Sequence, residues 1–128
     1  MDNKNQIELL EHFNNPEKNN DYLIKIKVPE FTCLCPKTGQ PDFATLYINY
    51  VPNKLCLELK SLKLYFGSFR QIGTFHEAVT NQICNDLTKI IEPSYLKVIA
   101  KFNVRGGINT TIESFRIASS WRDNKNLI

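Results

Sequence analysis

Between Tyr22 and Phe115 the spacing of apolar residues changes twice, and those changes restrict the fold more than any count of residue types. Ile24, Ile26 and Val28 alternate with Lys25 and Lys27, the period of a strand with one buried face. Pro29 is expected to end it. Alternation resumes with Ala44, Leu46 and Ile48 against Thr45, Tyr47 and Asn49. The period then lengthens. Leu62, Tyr65, Phe66 and Phe69 predict a helix from Ser61 to about Gln71, closed by Gly73. Phe75, Val79, Ile83, Leu87 and Ile90 predict a second helix, opened by Thr74 and stopped at Glu92 and Pro93. Leu96, Val98, Ala100, Phe102 and Val104 return to period two, and Arg105-Gly106-Gly107 turns the chain into a last strand through Phe115. The order is ββααββ, an α+β arrangement with both helices on one face of an antiparallel sheet. The other face and the sheet edges stay open, which predicts self-association by strand pairing into a larger closed barrel.

A chain of 128 residues has room for one such core, so residues 21–128 are expected to form a single domain. Residues 1–20, rich in Asn, Glu and Lys, read as a loosely held, flexible arm. The composition, 42% apolar and 23% charged, is that of a soluble globular protein. A net charge of +3 does not by itself support nucleic-acid binding. No apolar run reaches the roughly 20 residues of a membrane span, and the N-terminus lacks the pattern of a signal peptide. Cytoplasmic placement is therefore expected, with Cys33, Cys35, Cys56 and Cys84 as thiols.

Three segments can carry chemistry. In Cys33-Leu34-Cys35-Pro36-Lys37-Thr38-Gly39-Gln40-Pro41-Asp42, Pro36 biases Cys35 to an extended backbone and Gly39 permits a left-handed turn. Asp42 can then fold back towards Cys35, pairing a nucleophile with a proton donor. Against this stand a core cysteine, a turn-capping aspartate, or half of a zinc site completed by Cys56 or His76, although the usual two-residue spacer is missing. His76 and Glu77 could face one bound ring, but Thr74-Phe75-His76-Glu77 also has the form of a capping box, and capping is the favoured reading of Glu77 on spacing alone. Lys60 and Lys63 share a face at the start of the first helix, where the helix dipole suits a phosphate, and Arg105 could add a planar clamp. A solvated basic face is the plainer alternative.

Together these segments resemble the unimodular NADPH-dependent nitrile reductases of queuosine biosynthesis, enzymes of the tunnelling fold. That family's hallmark, Glu-(Ser/Leu)-Lys-(Ser/Ala)-hydrophobic-Lys-(Leu/Tyr)-aromatic, is met at every position from Glu58 to Tyr65, between the cysteine segment and the His76-Glu77 pair. The resemblance spans about Asp21 to Ile108. It implies that Cys35 attacks the nitrile of 7-cyano-7-deazaguanine to give a covalent thioimidate and that Asp42 supplies the proton. Two NADPH would complete the reduction to the amine. It further implies substrate contacts from Glu77, assisted by His76, and from the stretch Leu57-Glu58-Leu59, with Lys60, Lys63 and Arg105 as cofactor-phosphate candidates. No metal is implied. The family's fold is a ββααββ unit assembled into oligomeric rings with active sites between subunits. Leu59 takes the permitted alternative to Ser, and Cys33 adds a second thiol expected to sensitise the site to oxidation. The competing readings are a zinc-dependent hydrolase of the same fold, resembling GTP cyclohydrolase, and an RNA-binding module using Lys25, Lys27, Lys97 and Lys101. The first leaves the segment from Glu58 to Tyr65 unexplained, and interleaved surface aromatics are too sparse to favour the second.

Overall fold

The computed structural model describes residues 6–121 and 124–128. In chain order the elements are β1 (His12–Asn14), β2 (Ile24–Leu34), β3 (Pro41–Val51), β4 (Leu55–Leu57), helix α1 (Leu59–Gly67), helix α2 (His76–Ile91), β5 (Tyr95–Phe102) and β6 (Thr111–Ile117), with a short 3-10 turn at Lys125–Leu127. The main sheet runs β2-β3-β5-β6, antiparallel throughout, so the expected ββααββ unit is present.

Its two faces follow the period-two pattern. Ala44, Leu46, Ile48 and Tyr50 of β3 and Leu96, Val98, Ala100 and Phe102 of β5 point to the helices and are buried. They meet Val79, Ile83, Leu87 and Ile91 of α2 and Leu62, Tyr65 and Phe66 of α1, so both helices cover one face. Phe31, Tyr65, Phe66 and Phe69 form an aromatic cluster with centroids 5.2–6.1 Å apart, mostly edge to face, the geometry aromatic quadrupoles favour. On the opposite face Lys27 and Lys101 lie over the ring of Tyr47, 5.9 and 5.2 Å from its centroid.

Three boundaries differ from expectation. Pro29 does not end its strand. β2 continues to Leu34 through a register shift between Val28 and Phe31, because an edge strand with a bulge can hold a residue lacking an N–H. Helix α1 stops at Gly67, and residues 68–71 continue as turns rather than helix.

The third difference is the N-terminal arm, whose residues 1–5 lie outside the described residues. The rest is not loosely held: β1 pairs with β4, Leu10 enters the core, and Gln6 is fully buried. Gln6 donates to Ser68 Oγ at 2.9 Å and accepts from Gln82 Nε2 at 3.1 Å, joining the end of α1 to α2. Asn15 likewise donates to the Asn53 carbonyl at 2.8 Å. Polar composition suggested solvation, but these amides find protein partners instead.

At the other end Trp121 packs on Val51 and Tyr95, and its indole N–H donates to Asp21 at 2.8 Å. Among the described residues no helix is long and apolar enough to cross a membrane.

Candidate active site

The end of β2 and the start of α2, far apart in sequence, are stitched together by backbone. Leu34 N–H donates to the Ile72 carbonyl at 2.9 Å, and Thr74 N–H donates to the Leu34 carbonyl at 3.0 Å. This brings His76 and Glu77 beside Cys35.

Cys35 itself opens a closed loop. Its N–H donates to the Gln40 carbonyl, and its carbonyl accepts from Gly39 N–H, both at 2.8 Å. Closing so tight a loop requires Gly39 at φ 72°, a region that disfavours any side chain. The loop turns the Thr38 hydroxyl and the N–H groups of Thr38 and Lys37 onto the sulfur, holding the Cys35 thiol below its ordinary range. A sulfur surrounded by donors favours thiolate, the reactive form. Cys33, two residues earlier, has the opposite environment: it is fully buried, and burial pushes its thiol up to about 11. It is a core residue, which argues against its being the site of oxidation.

Asp42 lies near the start of β3, 8% exposed. Its Oδ1 accepts from Arg105 Nη1, and its Oδ2 lies 3.3 Å from His76 Nε2. The His76 ring stacks on Phe102 with centroids 3.7 Å apart and planes 5° apart, which holds the imidazole plane beside the carboxylate. The expected capping box does not form. The residue capping α2 is Phe75, which makes no side-chain bond to the helix, and the Thr74 hydroxyl donates to the Phe75 carbonyl at 3.4 Å. The Glu77 carboxylate therefore has no hydrogen-bond partner among the described residues and lines a cavity of about 280 Å³ together with Cys35, Asp42, His76 and Arg105.

Glu58 to Lys63 sit elsewhere. Glu58 caps α1, accepting from Lys60 N–H and Ser61 N–H at 2.8 Å each, and those bonds hold its carboxyl below the usual range. The helix N-terminus offered to a phosphate is thus filled by the chain's own carboxylate. Leu57 is buried, with its N–H donating to the Tyr50 hydroxyl at 3.0 Å, whereas Leu59 is 62% exposed. Leu59 and Lys63 line a different groove of about 310 Å³, floored by Ile26, Leu62 and Phe66, which shares no residue with the Cys35 cavity. Within one chain, Lys60 and Lys63 do not join Arg105. Arg105 is instead held on the cysteine loop by Asp42, Gln40, the Pro41 carbonyl and Thr38.

No set of three His, Cys, Asp or Glu able to hold a metal occurs among the described residues. Cys56, once a candidate zinc ligand, is buried beside Tyr22. Sequence reasoning missed Thr38, which it read only as part of a turn, and Phe102, read only as a core residue. No local signal pairs Phe102 with His76.

This ββααββ sheet, with a thiol, a carboxylate and an imidazole lining one cavity, is that of an enzyme of the tunnelling-fold class. Its fold matches the crystal structure of the archaeosine synthase QueF-Like in the apo form, with a TM-score of 0.68 over 73% of this chain and 91% of that one, at 20% identity. The chain belongs to the QueF-like protein family, whose profile matches residues 41–120. It is 59% identical over 112 residues to the NADPH-dependent 7-cyano-7-deazaguanine reductase of Nitrosococcus oceani, covering 88% of this chain and 87% of that protein. To the enzyme of the same name from Halorhodospira halophila it is 61% identical over 105 residues, 82% of this chain and 89% of the relative.

Proposed function

We propose that this chain reduces the nitrile of 7-cyano-7-deazaguanine to 7-aminomethyl-7-deazaguanine with NADPH, a step of tRNA queuosine biosynthesis. The observation that carries the reading is Cys35 in one cavity with Asp42, His76 and the unpartnered Glu77. Its family membership and the printed names of its relatives support the same reaction.

The chemistry follows from these residues. The Cys35 thiolate adds to the nitrile carbon, forming a C–S bond while the nitrogen takes a proton from Asp42. This converts an inert triple bond into a polarised C=N acceptor. Two NADPH, bound in turn, would supply one hydride each. Cys35 leaves after the first, Asp42 supplies protons to nitrogen, and the walls of the cavity keep water from the imine. Glu77 accepts two hydrogen bonds from the ring N–H and exocyclic amine of the substrate, and His76 lies beside it.

Lys60 and Lys63, exposed at the start of α1 above an apolar groove, suit the phosphates and a ring of the cofactor. Because this segment is remote from Cys35 within one chain, the complete site is read as shared: a second copy brings Leu57 to Lys63 to the Cys35 cavity. The open edges β2 and β6 are the surfaces on which copies pair into rings. Cytoplasmic placement accords with a dinucleotide-dependent enzyme that relies on a free thiol.

The test is NADPH oxidation with 7-cyano-7-deazaguanine by the wild type and Cys35→Ala, counting cofactor per amine. Two NADPH per amine with loss of turnover in the variant supports the assignment. No substrate-dependent oxidation by the folded, assembled wild type sinks it.

A further inference from the structure

The face of the main sheet turned away from the helices carries Lys25 and Lys27 on β2 and Lys97 and Lys101 on β5, with Tyr47 and Asn49 of β3 between them. Of these lysines only Lys97 has an ion-pair partner among the described residues, Glu113 at 2.7 Å. We propose that this face binds an inorganic polyphosphate chain, held by Lys25, Lys27 and Lys101 beside Tyr47. The inference goes beyond the reductase reading, and only its choice of a small anion rests on the ring assembly.

The first ground is a convergence of like charge. Strand β3 separates β2 from β5, so their backbones lie two strand spacings, roughly 10 Å, apart. The ammonium groups of Lys27 and Lys101 nevertheless both lie over the Tyr47 ring, 5.9 and 5.2 Å from its centroid. At an exposed site the ring quadrupole offsets little of the repulsion between two cations, whereas an anion between them turns it into attraction. Protection of an open edge accounts for lysines on β2, but not for Lys101 on the inner strand β5.

The second ground is the shape and lining of the surface. Lys25, Lys27, Lys101, Tyr47 and Asn49 line a cavity of about 390 Å³ with no carboxylate among its lining residues. Asn49 adds an amide donor, and Glu113, the acid on the neighbouring strand β6, is already taken by Lys97. A cavity of that size suits a small ligand. Because two lysines lie over Tyr47, its ring is not free for a base to stack on, which favours a bare phosphate chain over a nucleotide.

Assembly strengthens the case. Both helices pack on the other face, so a sheet that closes edge to edge keeps that thicker layer outside and this face in the lumen. Each copy then brings three ammonium groups without an ion pair into one enclosed space, where water screens them less. Such a lumen admits a short phosphate chain more readily than a folded nucleic acid.

The test is calorimetric titration of the full chain with sodium tripolyphosphate at neutral pH, beside Lys25→Gln/Lys101→Gln and a control, Lys60→Ala/Lys63→Ala. Lys27 is left in place because it also borders the groove under α1. Wild type is expected to bind, with an affinity that falls as KCl is added. Lys25→Gln/Lys101→Gln should lose at least about tenfold in affinity, since two charge-assisted contacts go, while the control binds as wild type does. Absence of binding by wild type overturns the proposal, and so does equal affinity in the glutamine variant. A loss in the control instead places the anion at α1 and overturns it too. Tighter binding of ATP or of an RNA oligonucleotide than of tripolyphosphate overturns the choice of a bare phosphate chain. Sedimentation of the same samples separates this site from the assembly reading. A monomer that binds through Lys25 and Lys101 keeps the site and fails the ring, whereas a folded, assembled chain that does not bind fails the site alone.

Discussion

The loop from Cys35 to Asp42 and the helix start from Glu58 to Lys63 are both dense in functional groups, yet they use them in opposite ways. In the first, the backbone closes on itself so that side chains and N–H groups converge outward on a thiol and a cavity. In the second, the carboxylate is consumed at home, capping α1, and Lys63 lines another groove. In the proposed reading the first region is the reaction centre, and the second is a binding surface completed by another copy. Side-chain chemistry read from sequence looked alike in both, and only the backbone around it separates them.

The sharpest break between the two regions is in Cys35→Ala. Removing the nucleophile is expected to lower turnover by about 10³-fold or more, with little change in thermal midpoint, because Cys35 sits half-buried in a loop outside the core. Comparable turnover in the variant would move the chemistry away from the loop altogether.

The next effect concerns how the regions meet. If a second copy supplies the helix start, co-assembling Cys35→Ala with a Lys60→Ala/Lys63→Ala chain rebuilds some sites with both halves intact. Random mixing restores about a quarter of them. Turnover that neither parent has alone is the expected outcome. No recovery in verified mixed assemblies means that each chain serves its own site.

Much of the contrast was legible beforehand. Period-two and helical spacing placed the β2-β3 and β5-β6 hairpins and both helices, because each buries a regular stripe against the other layer. Cys35 and Asp42 were legible because Pro36 and Gly39 constrain a short loop. The remainder depends on contacts without local periodicity. The bond from Thr74 to Leu34 places Glu77 at the cavity instead of in a capping box, Phe102 holds His76 from a distant strand, and Gln6 draws a polar N-terminus into the core. Glu58 fell between these cases: a carboxylate two and three residues ahead of free helical N–H groups is a legible cap, but the motif drew attention to a ligand.

Within the loop, Thr38→Val removes the hydroxyl that donates to the sulfur. The Cys35 thiol is held low in the native protein, so thiolate persists to lower pH than for an ordinary cysteine. The variant should shift the pH midpoint of Cys35 alkylation upward, towards the ordinary value of about 8.5. An unmoved midpoint leaves the loop N–H groups as the cause.

A part-buried hydrogen bond ties the two helices: Tyr65 donates to Asp86 at 2.6 Å, joining α1 to α2, and burial with the nearby carboxylate pushes the phenol well above its usual range. Tyr65→Phe should lower unfolding free energy by about 1 kcal/mol in urea, with an unchanged denaturant slope. A larger loss would mean that the helix start depends on α2 for its placement.

The smallest effect tests the cap itself. Because the folded Glu58 carboxyl is held below its ordinary value, the charged cap contributes stability that is fully present above the ordinary carboxylate range and is lost as pH falls through the folded value. Glu58→Gln keeps an acceptor oxygen but not the charge. Its urea midpoint should lie below that of wild type at pH 7, and the gap should be smaller at pH 3, as falling pH protonates the wild-type carboxylate. A gap of equal size at both pH values removes the charge from the explanation. No gap at pH 7 means that Glu58 is free of its helix, and the two regions then differ less than their backbones suggest.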